Sequence, residues 1–515
     1  PLPLTRSPFF SYRHDQPLPL GSLVQIPFGT RSLKGIVYAS APLPGRVPLW
    51  LKPVTSVIRE GWLTSSQRLL AEHISETYFS SLGNTLKHFV FPLPKKNQFL
   101  LPPVAPPVKT RTKKHRAERL IFAEEAQLWT SLMTLLTHHV QKKVTTLVIV
   151  PDLLLLTSLS NECQIRFPNE SLSLSSQLTP KQMEAHWHRI RSGTATIILG
   201  TRQALFAPFR DIGQIVYLYP EERLSYKQWD MTPQYEVEMG VAFLAAAFHA
   251  KLSCWSTSPG LLAHTPISPS TWQTVGTRRA KLSLIDRRQD GKGARLKVLA
   301  KGLEKHLATL PSKAQVLLIA TERGVSGVMV CQKCHTTVRC PQCQHVLSEN
   351  QAGILRCLNC RYTQSFFPQC SQCGHMHFKS YGIGTIRLER ELERAFPTKS
   401  ILRIDRDVLS GANNFHKLST ALAEPSGRWI IATPEIGTLL RLSNLDLVVM
   451  LEGDQALAFP DFSGEERLGI EIERLLSKLK PTGALLAQTF APEERVWQYE
   501  QRDQAGALWS LLFEE

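Results

Sequence analysis

The chain has 515 residues, of which 43% are hydrophobic and 20% are charged, so roughly three to four globular domains are expected. This composition excludes a disordered chain, and no apolar run reaches the ~18 residues that a membrane-spanning helix needs. The net charge of +17 favours a polyanionic partner such as nucleic acid, although a charge that serves only solubility remains the alternative.

Residues 1–94 have the pattern of a compact β-rich module. Short strands are predicted at Leu23–Ile26 and Gly35–Tyr38, separated by a turn that starts at Gly29. A helix is predicted from about Ser65 to Leu82.

Residues 95–117 are rich in proline and then in basic residues, which is typical of a linker. The basic run contains Lys113 and Lys114. These lysines are either part of a solvated linker or, beside other basic modules, candidates for phosphate contact.

Two later regions alternate helical stretches with continuous apolar runs, which predicts parallel sheets covered by helices on both faces. In residues 118–262 the predicted strands are Thr146–Val150, Ala195–Leu199 and Gln214–Leu218. The pattern starts again in residues 263–330 and 378–515, with predicted strands at Ser400–Ile404, Trp429–Ala432, Leu445–Met450 and Ala484–Ala487. The predicted fold class is α/β, with a β-rich N-terminal module, two parallel α/β lobes and a cysteine-rich insertion, residues 331–377, in the second lobe.

The insertion contains four CxxC pairs, namely Cys331/Cys334, Cys340/Cys343, Cys357/Cys360 and Cys370/Cys373. Two such pairs complete one tetrahedral thiolate shell, so the spacing predicts two structural Zn²⁺ ions. A disulfide framework fits less well, because only Cys163 and Cys254 lie outside the cluster and no secretory signal opens the chain. Reduced thiolates predict a cytoplasmic location. Spacing alone leaves three ways to pair the knuckles, although the loop between the inner pairs Cys340/Cys343 and Cys357/Cys360 has a length that is normal for a zinc ribbon.

Basic and aromatic side chains alternate in the same insertion. Arg356 and Arg361 are predicted to contact nucleic acid through phosphates. Phe366 and Phe367 either stack on bases or form the small core of the module.

Three groups of motifs follow the order of one known family. The predicted first lobe contains Gly200–Phe209 and Ser225–Gln228, and the predicted second lobe contains Tyr381–Thr385, Arg403–Asp407 and Phe459–Phe462. The N-terminal module contains Phe10–Tyr12, Ile26–Gly29 and Leu51–Lys52. These motifs resemble the two helicase lobes and the 3′-end-binding domain of the PriA family of primosomal replication restart proteins. The resemblance implies a helicase-like architecture that binds DNA forks and single-strand/duplex junctions. It also implies a single-stranded DNA-binding protein and a replicative helicase loader as partners.

The resemblance also assigns roles to particular residues. Phe10 and Tyr12 would flank the terminal base of a DNA 3′ end, Ser11 would accept from its 3′-OH, Gly29 would allow close backbone approach, and Lys52 would contact phosphate or base. The alternative is that Phe10 and Tyr12 are core residues of a strand. For zinc, the resemblance agrees with nesting: Cys331, Cys334, Cys370 and Cys373 for one ion, and Cys340, Cys343, Cys357 and Cys360 for the other.

The departures of the chain from the family fall on four ATPase motifs. No GxxxxGK[ST] string occurs, and the expected place is held by Ile121–Trp129, which carries two adjacent carboxylates. Tyr219 and Pro220 replace acidic residues of the magnesium motif, with Glu221 retained. Glu473–Lys480 lacks the Gly-Arg pair that senses the γ-phosphate, and Trp255–Pro259 stands where a Ser-Ala-Thr motif belongs. We therefore expect no catalytic residues, no ATP-binding site and no ATP-driven strand separation.

The sequence-based hypothesis is a restart factor that recognises branched DNA and recruits other proteins without a motor of its own. Two alternatives remain: an active 3′–5′ helicase with an unrecognised nucleotide site, and a zinc-ribbon interaction protein of repair or transcription.

Overall fold

The structure, a computed structural model, describes residues 9–42, 48, 50–91, 117–229, 231–260, 273–287, 298–320, 328–331, 338, 340–342, 347–349, 355–357, 362–364, 369–370, 373–381, 384–405, 408, 427–453, 464–489, 492–502 and 508–509. The backbone divides into two compact units. The first comprises Pro1–Ile121, Trp129–Ser256 and Thr265–Gln273, and the second comprises Phe122–Leu128, Thr257–His264 and Thr274–Glu515. The predicted linker, residues 95–117, lies outside the described residues except for Ala117.

The first unit starts with a small antiparallel sheet. Its strands are β1 (Leu23–Phe28), β2 (Arg31–Ile36) and β3 (Ser56–Arg59), in the spatial order β2-β1-β3. β1 and β2 form a hairpin, and Gly29, with φ +58°, supplies the left-handed turn between them. The second strand therefore starts earlier than the predicted Gly35.

Two helices follow this sheet, α1 (Ser65–Thr77) and α2 (Leu82–Leu86). Thr64 begins α1 with a capping box, because its side chain accepts from the Gln67 N–H and the Gln67 side chain accepts from the Thr64 N–H. α1 ends where Phe79 adopts a φ of +48°. The helix predicted from about Ser65 to Leu82 therefore ends earlier, at Thr77, and α2 begins only at Leu82.

A largely parallel sheet with flanking helices forms most of the rest of the first unit. In chain order its elements are β4 (Glu118–Phe122), α3 (Glu125–Lys142), β5 (Thr146–Ile149), α4 (Leu153–Arg166), β6 (Ser171–Leu174), α5 (Pro180–Ser192), β7 (Ile197–Gly200), a 3₁₀ turn (Arg202–Phe206), β8 (Gln214–Leu218), α6 (Arg223–Tyr226), α7 (Val237–Phe248), β9 (Lys251–Ser256) and β10 (Gln273–Val275). The sheet order is β10-β4-β9-β8-β5-β7-β6, and the pairs from β4 to β6 are parallel. All residues of β5, β7 and β8 are buried, as the continuous apolar runs predict.

The second unit is built on another parallel sheet. Its elements are β11 (Lys281–Asp286), α8 (Lys301–Thr309), β12 (Val316–Ile319), α9 (Thr385–Ala395), β18 (Ser400–Ile404), β19 (Arg428–Ala432), α10 (Pro434–Leu439), β20 (Leu445–Met450), α11 (Gly464–Ser477), β21 (Leu479–Thr489) and α12 (Arg495–Gln501). The spatial order is β11-β21-β20-β12-β19-β18, with every pair parallel. The predicted strands at Ser400–Ile404 and Leu445–Met450 agree with the structure residue for residue.

The cysteine-rich segment lies in the chain between β12 and α9. Its short strands are β13 (Val328–Cys331), β14 (Leu347–Glu349), β15 (Leu355–Cys357), β16 (Thr363–Gln364) and β17 (Phe378–Tyr381). They form an antiparallel sheet in the order β16-β15-β14-β13-β17. The predicted α/β class, with an N-terminal antiparallel sheet and a cysteine-rich insertion in the second lobe, is confirmed. Among the helices that the structure describes, none has the length and apolar character needed to cross a bilayer.

Candidate functional site

Three chain segments meet at one end of the N-terminal sheet. The Arg13 N–H donates to the Lys52 carbonyl over 3.0 Å, and the Val54 N–H donates to the Arg13 carbonyl over 2.9 Å. This short parallel bridge holds the segment of Phe10–Tyr12 beside Lys52. The end of β1 and the turn at Gly29 form the third segment.

Side chains connect the first of these segments to the end of β1. The Tyr12 hydroxyl donates to the Pro27 carbonyl over 3.1 Å, and partial burial raises the pKa of this phenol, which therefore stays neutral. The Phe10 ring meets the Phe28 ring edge-on, with centroids 5.2 Å apart. A Cβ built at Gly29 would meet nothing within 4 Å, so the backbone there is open to an approaching group.

The five residues assigned from the resemblance, which we call the N-terminal site, therefore lie on adjacent segments: Phe10, Ser11, Tyr12, Gly29 and Lys52. Phe10 keeps 40% of its surface exposed, Ser11 and Lys52 are exposed, and Tyr12 is half-buried. An exposed ring, an open backbone turn and an ammonium group can hold a base and a phosphate. Phe28 is an additional neighbour that sequence reasoning did not single out, although its place directly before the Gly29 turn was a usable signal.

A second candidate site lies in the cysteine-rich segment. The ligand atoms of Cys331, Cys370 and Cys373 all lie within 4.8 Å of one another, and the Sγ atoms of Cys331 and Cys373 are 3.6 Å apart. Four thiolates around one zinc, at Zn–S distances of 2.3 Å, have their sulfurs about 3.8 Å apart. The described sulfurs therefore fit a zinc shell.

Local turns position these thiols. The Gly374 N–H donates to the Cys370 carbonyl over 2.8 Å, and the Cys370 N–H donates to the His375 carbonyl over 2.9 Å. Gly374, with φ +69°, allows the chain to reverse within the knuckle. Cys331 comes from the end of β13, which pairs with β17 immediately after this turn.

The other predicted zinc ligands are only partly described. Cys340 is buried and packs with Leu355, and Cys357 ends β15 with a side chain outside the described set. Arg356 lies on β15, and its side chain is likewise not described. The predicted residues that lie wholly outside the described residues are Cys334, Cys343, Cys360, Arg361, Phe366, Phe367, Lys113 and Lys114.

The place expected for a nucleotide-binding loop is a tight turn. Only Ala123 and Glu124 separate β4 from α3, and the Ala123 N–H already donates to the Val275 carbonyl over 2.9 Å. Glu125, on the first turn of α3, is buried and receives a 2.6 Å hydrogen bond from the Lys478 ammonium. The two adjacent carboxylates foreseen from the sequence are thus in different environments, because Glu124 is half-buried and Glu125 is compensated by a lysine. The sequence carried no signal for Lys478.

The place expected for the magnesium motif is filled by packed side chains. Tyr219 is buried, with φ +50°, and its ring meets Trp129 of α3 edge-on, with centroids 6.4 Å apart. Glu221 is buried and accepts a hydrogen bond from the Ser256 hydroxyl. In the second unit, Glu473 accepts from the Ser258 hydroxyl and, over 3.3 Å, from the Trp509 indole N–H. These carboxylates therefore already have protein donors.

Comparison with known proteins finds a family match at the N-terminal module and relatives that cover most of the chain. The family model described as "3'DNA-binding domain (3'BD)" matches residues 1–91. The replication restart protein PriA of Haemophilus influenzae is 31% identical over 359 residues, which are 67% of this chain and 48% of that protein. PriA of Bacillus subtilis is 26% identical, covering 67% of this chain and 44% of its own length, and PriA of Rickettsia felis is 25% identical, covering 94% and 78%. The chain resembles PriA and spans about half the length of the first two of these relatives.

Solved structures with similar backbones include RecG bound to a three-way DNA junction, with a TM-score of 0.40 and 9% identity over 87% of this chain and 46% of that one. Mss116p bound to single-stranded RNA and AMP-PNP has a TM-score of 0.44 and 10% identity, covering 76% of this chain and 70% of its own.

Proposed function

We propose that this chain is a DNA-binding replication restart factor of the PriA type, which recognises forks and single-strand/duplex junctions without ATP-driven unwinding. The observation that carries the proposal is the N-terminal site. The family model for a 3′-DNA-binding domain matches the residues that contain it, and its five predicted members lie on adjacent, largely exposed segments. The net charge of +17 supports charge-driven encounter with DNA.

Each member of the N-terminal site has a role in this proposal. Phe10 and Tyr12 flank the terminal base, and the open turn at Gly29 admits the sugar and its 3′-OH. Ser11 accepts from that hydroxyl, more weakly than a carboxylate would. Lys52 neutralises a phosphate.

The absence of ATP hydrolysis is the second part of the proposal. It is supported by the lack of a phosphate-binding string, by the two-residue turn before α3 and by the aromatic pair of Trp129 and Tyr219. Without glycines, a phosphate-binding lysine and a magnesium carboxylate, the γ-phosphate of ATP has no cradle and no metal partner.

Two zinc ions complete the proposal, in the nested arrangement. The closeness of Cys331 to Cys370 and Cys373 supports Cys334 as the fourth ligand of one ion. Cys340, Cys343, Cys357 and Cys360 would hold the other. The metals would fold the insertion and so present Arg356 and Arg361 to DNA, with Lys113 and Lys114 as further phosphate contacts.

In a cell the chain would act in the cytoplasm, where thiolates stay reduced. There it would deliver other proteins to the fork, with a single-stranded DNA-binding protein and a replicative helicase loader as the partners.

The test is a binding series over a range of salt concentrations with forked, single-stranded and duplex DNA, each with and without Mg²⁺-ATP. We expect the fork with a free leading-strand 3′-OH to bind most tightly, the affinity of every DNA to fall with salt, and ATP to change nothing. Equal affinity for forks and plain duplex would contradict fork recognition. DNA-stimulated ATP hydrolysis would contradict the absence of a motor and favour an active helicase.

A further inference from the structure

Residues Phe122–Leu128 comprise the last residue of β4, the turn after it and the first turn of α3, and they belong to the second unit of the structure. Glu125 lies in this segment with a side chain that is 2% exposed. A carboxylate in the first turn of a helix lies in the favourable field of the unpaired N–H groups there. In nucleotide-binding sites of the strand–loop–helix type, the N-terminus of the helix is where a phosphate binds.

Lys478 supplies the opposite charge from the residue that directly follows α11. Its side chain is 1% exposed, and its ammonium donates to Glu125 Oε2 and to the Leu440 carbonyl, each over 2.6 Å. The backbone of Lys478 is held as well, since its N–H donates to the Leu475 carbonyl and its carbonyl accepts from the Leu445 N–H. The ammonium is therefore fixed in place.

The burial of this pair has electrostatic consequences. Desolvation lowers the pKa of the Lys478 ammonium, and the adjacent Glu125 carboxylate opposes that change. Two charges taken out of water are tolerated only when each compensates the other with good geometry. Removing one partner therefore leaves an uncompensated buried charge, which destabilises the fold unless an ion of opposite charge binds in its place.

We propose that Glu125 is a built-in anion that replaces a nucleotide phosphate at the start of α3, and that Lys478 is the cation that holds it there. The proposal deepens the ATP-independent part of the proposed function and rests on that part. A nucleotide phosphate would have to displace a buried, hydrogen-bonded carboxylate before it could reach this helix terminus. The pair ties the segment Phe122–Leu128 to the residue that follows α11.

The test uses the full chain and inorganic phosphate as the probe. Glu125→Ala should lower the Tm by roughly 10 °C, because Lys478 is left buried without its counter-ion. Phosphate at tens of millimolar should then raise the Tm of Glu125→Ala more than it raises the Tm of the natural chain. Lys478→Met should also lower the Tm, but phosphate should give it no such additional rise.

The matched control is Lys480→Met. Lys480 and Asp446 form a 2.7 Å ion pair of the same type, but their side chains are 40% and 29% exposed. Loss of this exposed pair should change the Tm by only a degree or two, about what loss of an exposed ion pair implies. An equal phosphate effect on Glu125→Ala, Lys478→Met and the natural chain would overturn the proposal.

A second measurement covers the case in which Glu125→Ala does not fold. Pulse acetylation of the natural chain should modify Lys478 far more slowly than Lys480, and Glu125→Gln, which keeps the shape of the side chain, should speed up modification of Lys478 alone. Equal acetylation rates at Lys478 and Lys480 in the natural chain would show that the Glu125–Lys478 pair is not buried and would overturn the proposal. If phosphate does not raise the Tm of Glu125→Ala more than that of the natural chain, and the natural chain neither binds nor hydrolyses ATP, only the proposal that Glu125 replaces a phosphate is rejected. If the natural chain hydrolyses ATP measurably, the ATP-independent function itself is rejected.

Discussion

The indole rings of Trp62 and Trp187 stack with their centroids 5.0 Å apart and their planes 23° from parallel. Trp62 follows the N-terminal sheet and Trp187 lies on α5, so the two rings join the N-terminal part to the helices of the first α/β sheet within one unit. Arg191, one turn after Trp187, donates to the Trp62 carbonyl over 3.1 Å, and burial lowers the pKa of its guanidinium to about 10. The first unit therefore has one continuous core.

This shared core predicts that Trp187→Ala destabilises the first unit and not only α5. Removal of a buried tryptophan should cost about 3–5 kcal/mol and should increase hydrogen exchange along β1 and β2 together with α5. Trp50→Ala is the control, since Trp50 is 71% exposed in the same unit and should change stability by about 0.5 kcal/mol or less. If hydrogen exchange in Trp187→Ala increases along α5 but not at the amides of β1, the two parts unfold independently and the prediction is contradicted.

Phe10→Ala tests base stacking at the N-terminal site. The ring touches Phe28 and keeps 40% of its surface exposed, so its loss should weaken DNA binding by ~1–3 kcal/mol and lower the Tm by only a few degrees. Binding is measured on forks whose leading-strand 3′ end is either free or blocked by phosphate. Phe79→Ala, at a ring that is 98% exposed, is the control and should bind like the natural chain. Equal losses on free and blocked ends would place Phe10 outside the end-binding function.

Lys52→Ala tests phosphate contact. Loss of one ammonium should lower affinity by a similar factor on all DNAs that engage the site and should reduce the salt slope of log K by about one. The backbone of residue 52, which accepts from Arg13, is retained in this variant, so the fold should be unaffected. An unchanged salt slope with normal stability would remove Lys52 from the phosphate contacts.

Zinc removal should expose a defined set of thiols. Metal analysis should give close to two Zn²⁺ per chain, and chelation should open the eight cysteines of the insertion to alkylation. Cys163 and Cys254 should stay unmodified in the folded chain, because both are buried and burial raises the pKa of the Cys254 thiol to about 12. Alkylated peptides are counted by mass spectrometry. A single equivalent of zinc, or alkylation of Cys254 as fast as that of Cys370, would contradict the prediction.

Asp405 should contribute to acid sensitivity of the second unit. Burial opposes its ionisation, but hydrogen bonds from the Val408 N–H (3.0 Å) and the Thr385 hydroxyl (2.8 Å), together with Arg403, outweigh burial and hold the pKa of the carboxyl below its usual 3.8. A lowered pKa in the folded state stabilises above pH 3.8, and this contribution is lost as the pH falls through the folded value. Asp405→Asn should therefore have a lower free energy of unfolding at neutral pH, and this free energy should fall less steeply as the pH is lowered. Urea unfolding from pH 7 to pH 3 measures the free energy of unfolding across this range. If it falls as steeply with pH in Asp405→Asn as in the natural chain, the prediction is contradicted.

Local features of this protein were accessible from the sequence because they depend on near neighbours along the chain. The apolar run Leu445–Met450 is a strand that is buried at nearly every residue. A short continuous run of apolar residues with high β-propensity predicts such a strand directly. The CxxC spacing indicates a metal knuckle for the same reason, as two thiols of one turn reach one ion. Phe10, Gly29 and Lys52 could be named from short motifs in the sequence, but three tertiary contacts bring their segments together: Arg13 to Lys52, Tyr12 to Pro27 and Phe10 to Phe28.

The sequence alone determined the cysteine pairs and the lack of a phosphate-binding string, which are properties of short segments. It also determined the α/β class, because that class follows from the order in which apolar strands and helices alternate along the chain. The tertiary structure decided which distant side chains meet. Lys478 and Glu125 are 353 positions apart, and Arg191 and the Trp62 carbonyl are 129 apart. Periodicity reports that a position is buried but not which partner it meets, because the partner depends on how the sheets are connected and packed. A lysine after an amphipathic helix usually points to solvent, and only the folded chain turns Lys478 inward to a carboxylate.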